Sequence, residues 1–359
     1  MCGITGFIQS PSVGAEGLKA QALDMAKALQ HRGPDSFGVW VDAECGLALA
    51  HRRLAILDLS ENGAQPMLSV SGRWVLNYNG EIYNHRALRA ALQAAGAQIQ
   101  WRGHSDTEVM LAAIEHWGLD QALRRFVGMF AFALWDRQER RLHLARDRFG
   151  EKPLYYSVAG RALLFGSELG ALQRYSGWRG TVDRDALTLL LRLKSIPAPF
   201  SIYRDVRKLP PASLISFEVG DAAKTSLSNP EPRCYWDLQA TIDRSLNNRF
   251  AGTRLEAVDA LDELLRSAVK ERMEADVPLG AFLSGGVDSS TIVALMQAQS
   301  SRPIKTFTVG FDEQIYNEAP YASAVAQHLG TDHSNLYVSS ADVLAVIPQL
   351  PTIYDEPFA

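Results

Sequence analysis

The chain has 359 residues, 47% of them hydrophobic and 21% charged, enough to fill substantial cores and long enough for about two domains. A formal net charge of -4 excludes the broad basic field that nonspecific nucleic-acid binding needs and points to small-molecule partners. Three cysteines, Cys2, Cys45 and Cys234, lack metal-ligand spacing and are too few for a disulfide framework, and no basic leader or long apolar window precedes or interrupts the chain, so the expectation is a cytoplasmic protein with no membrane association.

The first segment, Met1-Cys2-Gly3-Ile4-Thr5-Gly6-Phe7, carries a thiol beside the amino terminus. Removal of Met1, favoured by the small residues that follow, would place a thiol and a free α-amine on one residue. An α-amine titrates near about pH 7.7 to 8.0, so it can take the thiol proton without a histidine partner. Read alone, position 2 also suits an ordinary cysteine. Short β-type runs at 73–78 and 129–135 alternate with helical stretches, a mixture that predicts packed sheets with helices outside. One helix is predicted to start at the capping-box string Ser105-Asp106-Thr107-Glu108, which puts Asp106 at its N-terminus.

Between 220 and 252 the periodic apolar spacing gives way to Ser, Asn, Pro and Arg, the composition of a linker. A helix follows from the capping box Thr253-Arg254-Leu255-Glu256, with apolar residues at 255, 258, 261, 264, 265 and 268 predicted to face a core. From 277 onward strands and helices alternate: strand 277–283, helix 289–299, strand 304–309, helix 317–329, strand 335–338. That order predicts a parallel, doubly wound sheet.

Between the first of those strands and its helix lies Ser284-Gly285-Gly286-Val287-Asp288-Ser289-Ser290. Glycine amides, hydroxyls and a helix N-terminus converge there, as a pyrophosphate cradle requires. No Gly-Lys-Ser/Thr follows at Walker A spacing. A carboxylate beside phosphates is repulsive unless a divalent cation lies between them, which assigns Asp288 to Mg²⁺. An ordinary glycine-rich turn capped by Asp288 is the plainer alternative.

Several separated strings, in order, carry a family resemblance: Met1-Cys2-Gly3-Ile4, His31-Arg32-Gly33-Pro34-Asp35, Ala50-His51-Arg52-Arg53-Leu54-Ala55-Ile56, Asn79-Gly80-Glu81-Ile82-Tyr83-Asn84, Gly103-His104-Ser105-Asp106-Thr107-Glu108, Arg146-Asp147-Arg148-Phe149-Gly150-Glu151-Lys152-Pro153-Leu154-Tyr155-Tyr156 and the phosphate loop. Together they resemble the glutamine-dependent asparagine synthetase family. The resemblance implies an α/β chain, α+β in its first half: an N-terminal-nucleophile αββα sandwich followed by a doubly wound parallel-sheet ATP-pyrophosphatase domain. The implied boundaries are a glutaminase domain at 1–215, a linker region at 216–252 and the N-terminal part of the synthetase domain at 253–359.

By the same resemblance Cys2 attacks the glutamine carboxamide, and Asn79 with the Gly80 amide forms the oxyanion hole. An Asn-Gly pair could equally be a hairpin turn. Arg53, Leu54, Ile56, Asn79, Gly80, Glu81 and Asp106 would bind glutamine, Arg53 at its α-carboxylate and Glu81 with Asp106 at its α-amine. His31 and Arg32 would organise a loop, and His51 would be structural. Leu283, Ser284, Gly285, Gly286, Asp288, Ser289 and Val309 would bind ATP, with Mg²⁺ at Asp288. The partners are then glutamine, ATP and aspartate or another carboxylate. The implied reaction releases ammonia from glutamine, adenylates aspartate, and displaces AMP to give asparagine, glutamate, AMP and pyrophosphate; an internal ammonia tunnel also follows from the family, and a homodimer stays open.

The match stops at Tyr354-Asp355-Glu356-Pro357-Phe358-Ala359, before a later Ser-Gly-Glu-Gly-type loop of the family, so the second domain reads as truncated and the roles of Asp355 and Glu356 stay open. A relative amidating a sugar acid, a stand-alone glutaminase and a noncatalytic remnant are the alternatives.

Overall fold

A computed structural model of the chain describes residues 2–10, 13–159, 162–219 and 230–358. Met1 and linker residues 220–229 lie outside that set. The chain divides into two compact units, Met1–Thr241 with Tyr354–Ala359, and Ile242–Ile353.

The first unit holds strands β1 (Gly3–Ile8), β2 (Ser36–Asp42), β3 (Leu47–Arg53), β4 (Met67–Leu68), β5 (Trp74–Ile82), β6 (Gly128–Asp136), β7 (Arg141–Arg146), β8 (Tyr155–Ala159), β9 (Ala162–Gly166), β10 (Arg207–Lys208), β11 (Ser213–Glu218) and β12 (Arg233–Cys234). They form two six-stranded antiparallel sheets, ordered β10-β8-β9-β1-β3-β2 and β12-β11-β7-β6-β5-β4. Helices α1 (Ala15–Lys27), α2 (His85–Ala94), α3 (Asp106–Trp117), α4 (Leu119–Arg125), α5 (Leu169–Gln173) and α6 (Arg184–Leu193) complete its layers.

The side-chain period of strand β6 explains the layering. Its alternate residues Ala131, Ala133 and Trp135 join a core with Ile4, Ile8, Leu47, Leu49 and Phe165 of the facing sheet. The others, Phe130, Phe132 and Leu134, join Val109, Met110, Ile114 and Leu123 of α3 and α4. Both faces of the strand are therefore covered, which is why 129–135 reads as a continuous apolar run without the alternation of a half-exposed strand. On the outer face of the other sheet, Phe7, Ala48 and Ala50 pack with Leu18, Ala22 and Met25 of α1. The order is helix, sheet, sheet, helix, the expected αββα sandwich.

In the second unit, α7 (Leu238–Asn247), beginning just before the division, and α8 (Arg254–Arg272) precede strands β13 (Gly280–Phe282), β14 (Lys305–Phe311) and β15 (Asp332–Val338), which form a parallel sheet in that order. The crossovers are α9 (Val287–Ala298) and α10 (Ala319–Leu329), followed by α11 (Ser340–Val346) and α12 (Leu350–Ile353). The parallel sheet expected from the alternating pattern is present. The capping box at Thr253 and Glu256 forms in both directions. The stripe beyond it departs from expectation: Leu255, Val258, Leu261 and Leu264 are 55–70% exposed, and only the C-terminal half of α8, through Leu265 and Val269, packs against Leu295 and Met296 of α9. Helical spacing marks a face able to be buried; among the described residues nothing covers its first half.

No helix among the described residues is long and apolar enough to cross a membrane.

Candidate active site

Strand β1 starts at Gly3, paired opposite Arg52 of β3, so Cys2 lies beside the point where β3 gives way to the loop after Arg53. The Leu54 amide donates to Cys2 Sγ at 3.4 Å. Burial pushes the Cys2 thiol above its usual range, against the Leu54 hydrogen bond, the positive amino terminus and Arg53. A thiol held protonated in this way needs a base to become a nucleophile.

Cys2, Arg53, Leu54, Ile56, Asn79, Gly80, Glu81 and Asp106 line a single cavity, joined by Gln65, Tyr78, Met129 and Lys152. They come from three separated stretches of sequence and the N-terminus. Asn79 and Gly80 sit inside β5, paired with Ala131 and Phe130 of β6, so the hairpin-turn alternative does not hold. A Cβ on Gly80 would lie 2.2 Å from the Met129 carbonyl oxygen, which explains glycine at this register position. Asn79 is buried, and its Nδ2 has no hydrogen-bond partner among the described residues. A neutral donor without a partner is suited to receive an oxyanion.

Arg53 is 8% exposed, and its guanidinium donates to the carbonyls of Leu57 (3.3 Å), Ser60 (3.1 Å) and Asp58. Helix α3 begins at Asp106 after the N-cap Ser105, as its sequence predicts, but Glu108 reaches the Arg102 and Gly103 amides. Asp106 is buried, with Oδ2 accepting from the Tyr78 hydroxyl (2.7 Å) and the Ile82 amide (2.9 Å); burial raises its carboxyl against those hydrogen bonds. His51 is fully buried, and burial pulls it down to about 4 while Nδ1 meets Asn77 Oδ1 at 2.9 Å, so it is a neutral structural imidazole.

Arg32 Nε donates to the Cys2 carbonyl (2.9 Å) and Nη1 to Glu168 (2.7 Å). That link, with Tyr78 and Lys152, escaped the sequence reading. Tyr78 and Lys152 lie inside or next to matched strings, but their approach to the thiol pocket depends on the packing of the two sheets.

In the second unit the phosphate-loop string connects β13 to α9. Gly285 has φ +80°, and a Cβ there would meet the Ala322 amide nitrogen at 2.8 Å. The Ser284 and Ser289 hydroxyls are 2.9 Å apart, and Ser284 Oγ accepts from the Gly286 amide at 3.3 Å. Leu283 is buried, whereas Gly286 and Asp288 are exposed and Val309 is 40% exposed. Asp288 lies in the first turn of α9. Among the described residues no group of three His, Cys, Asp or Glu side chains could hold an ion, and Asp288 offers a single exposed carboxylate, a hard oxygen ligand of the kind Mg²⁺ takes.

Residues 1–228 match the family described as glutamine amidotransferase domain, and residues 260–359 match asparagine synthase. A protein named putative asparagine synthetase [glutamine-hydrolyzing] 2, from Methanocaldococcus jannaschii, is 34% identical over 379 residues spanning 100% of this chain and 69% of its own. A putative asparagine synthetase [glutamine-hydrolyzing] of Mycobacterium tuberculosis is 35% identical and asparagine synthetase [glutamine-hydrolyzing] 1 of Bacillus subtilis 32% identical, each over 100% of this chain but 55% and 54% of their own lengths. The chain thus spans about half the length of these bacterial relatives. A solved structure of glutamine phosphoribosylpyrophosphate amidotransferase from B. subtilis, complexed with ADP and GMP, aligns over 96% of this chain and 92% of its own at a TM-score of 0.47 and 14% identity. The extent of the two family matches and of the archaeal alignment makes the chain a member of the glutamine-hydrolysing asparagine synthetase family.

Proposed function

We propose that Cys2 hydrolyses glutamine and that the second unit binds Mg-ATP to activate a carboxylate, aspartate being the acceptor suggested by the names of the relatives. The observation that carries this reading is the cavity lined jointly by the thiol, the unpartnered Asn79 amide, the Arg53 guanidinium and the carboxylates of Glu81 and Asp106. The glutaminase domain is taken as 1–215, the linker as 216–252 and the synthetase portion as 253–359; the division between compact units after Thr241 falls within that linker and supports the boundary there, whereas Tyr354–Ala359 groups with the first unit and departs from it.

After loss of Met1, the Cys2 α-amine takes the thiol proton and sulfur attacks the carboxamide carbon. Asn79 Nδ2 and the Gly80 amide receive the oxyanion while Arg53, Glu81 and Asp106 hold the amino-acid end of glutamine. Cleavage of the C–N bond returns the proton to nitrogen and releases ammonia; water then converts the glutamyl thioester to glutamate and restores the thiol. In the second unit the amides and hydroxyls of Ser284, Gly285, Gly286 and Ser289 would hold the phosphates, Leu283 and Val309 would line the adenosine, and Asp288 would hold Mg²⁺. Mg²⁺, when bound, neutralises the charge of the leaving pyrophosphate. The aspartate side-chain carboxylate attacks the α-phosphorus of ATP and breaks its bond to the bridging oxygen, releasing pyrophosphate; ammonia then attacks the acyl carbon of the adenylate, displacing AMP and losing a proton, to give asparagine.

The test is to record glutamate and pyrophosphate together on mixing the mature chain with glutamine, aspartate and Mg-ATP. Glutamate release is expected, and Cys2→Ala abolishes it. Glutamate release unaffected by Cys2→Ala would refute the assignment; pyrophosphate independent of aspartate would move the acceptor to another carboxylate.

A further inference from the structure

Two carboxylates near the end of the chain make contacts that the proposed chemistry does not use. Asp355 Oδ2 accepts from the Leu169 amide at 2.6 Å and Oδ1 from the Gly170 amide at 3.1 Å. These are the first two amides of α5, two of the N-terminal amides for which a helix has no internal acceptor. The N-cap is Glu168, and its side chain makes no capping bond. It turns instead to Arg32 Nη1 at 2.7 Å and His31 Nε2 at 3.1 Å, with Glu168 and Arg32 side chains 19% and 10% exposed. Arg32 Nε in turn donates to the Cys2 carbonyl at 2.9 Å. The preceding residue, Ser167, is stitched to β1 by its amide on the Ile4 carbonyl (2.8 Å) and its hydroxyl under the Ile4 amide (3.0 Å).

Glu168 thus holds Arg32 and leaves the first amides of α5 to another acceptor. Asp355 caps the helix, leaving Glu168 to the arginine. The next residue anchors the segment: Glu356 accepts from the Ile202 amide at 2.7 Å and pairs with Lys208, side chains 11% and 16% exposed, while Lys208 also donates to the Ile196 carbonyl at 2.6 Å.

We propose that Asp355 is a positioning residue for the nucleophile: by capping α5 it keeps Glu168 on Arg32 and Arg32 on the Cys2 carbonyl, so docking of the 354–358 segment sets the competence of the thiol. This rests on the glutaminase reading above. In the proposed binding mode the substrate's α-carboxylate and α-amine lie with Arg53, Glu81 and Asp106, whereas the contacts from Asp355 through Glu168 and Arg32 end on the Cys2 carbonyl, so the effect belongs in kcat and not in KM.

The experiment measures kcat and KM for glutamate release from glutamine in the full chain, with wild type, Cys2→Ala, Asp355→Ala, Asp355→Asn and Glu356→Ala. Asp355→Ala is expected to lower kcat about tenfold, below the roughly 100-fold that an ångström of misplacement can cost, with KM within about twofold. Asp355→Asn keeps an acceptor in place and is expected to stay within about threefold of wild type. Glu356→Ala, which loosens the segment without touching α5, should lower kcat in the same direction by a smaller factor, and it decides the matter if Asp355→Ala does not fold. The proposal is overturned if Asp355→Ala keeps wild-type kcat, if its loss appears in KM, if Asp355→Asn is as impaired as Asp355→Ala, or, where Asp355→Ala does not fold, if Glu356→Ala keeps wild-type kcat. A wild-type chain that releases no more glutamate than Cys2→Ala would instead overturn the glutaminase reading itself.

Discussion

Asn79 carries an unusual combination for a buried residue: its side-chain nitrogen is enclosed in β5 and donates to nothing among the described residues. A buried donor without a partner costs about 1 to 3 kcal/mol, so an apolar replacement should leave folding no worse. Asn79→Ala is therefore expected to keep or slightly raise the thermal midpoint while kcat for glutamate release falls about 100- to 1,000-fold, the size of a lost oxyanion donor, with KM little changed. Asn79→Asp, which puts an acceptor where negative charge develops, should be no better than Asn79→Ala. Kinetics and melting curves on the same samples check both halves; a kcat loss under tenfold would remove Asn79 from the oxyanion site. At this scale the sequence was legible where chemistry is local to a string. Asn79-Gly80-Glu81 reads as a unit, but whether the pair forms a turn or a strand is decided by nine residues of pairing with β6. The partners Tyr78 gives Asp106 and Glu168 gives Arg32 lie 28 and 136 residues away, beyond the reach of any local pattern.

Elements defined by end signals were the readable ones: Ser105 and Thr253 each cap the helix predicted from them. What a helix face meets was not readable, because a stripe such as 255, 258, 261 and 264 records only that apolar residues align. The β13 to α9 turn is tightly constrained at Gly285. Gly285 combines φ +80° with a Cβ position 2.8 Å from the backbone of α10, so alanine there carries both left-handed strain and a backbone clash. Gly286 faces only the Ser284 hydroxyl, at 3.3 Å. Gly285→Ala should thus weaken Mg-ATP binding by at least about tenfold and lower the stability of the second unit by about 1 to 3 kcal/mol, whereas Gly286→Ala should cost less stability. Titration calorimetry with Mg-ATP and chemical denaturation of the two variants compare them. Equal stability would mean that α10 yields to the added methyl group.

Across the whole molecule, apolar burial is distributed unequally. The largest fully buried side chains, among them Trp135, Tyr78, Phe7, Phe126, Phe130, Phe132, Phe165 and Phe217, all belong to the first unit, which fills three core layers. The second unit relies on two small clusters around Val269, Leu295 and Met296, and around Leu283, Val293 and Ala322, while Phe282 is 81% exposed and Leu336 64%. Since hydrophobic stabilisation scales with apolar area removed from water, the second unit should unfold first on heating. Two core truncations assign the transitions. Met296→Ala, at a cost of about 2 to 5 kcal/mol, should lower the first and leave the second in place. Phe165→Ala, at about 3 to 5 kcal/mol, should lower the second. Differential scanning calorimetry on the full chain reads both, and glutamate release measured along the same ramp adds a functional marker: it should survive the first transition, diminished to the extent that the docked 354–358 segment loosens, and vanish with the second. A single transition shifted equally by either truncation would mean that the two cores unfold cooperatively, and the argument from their separate burial would fail.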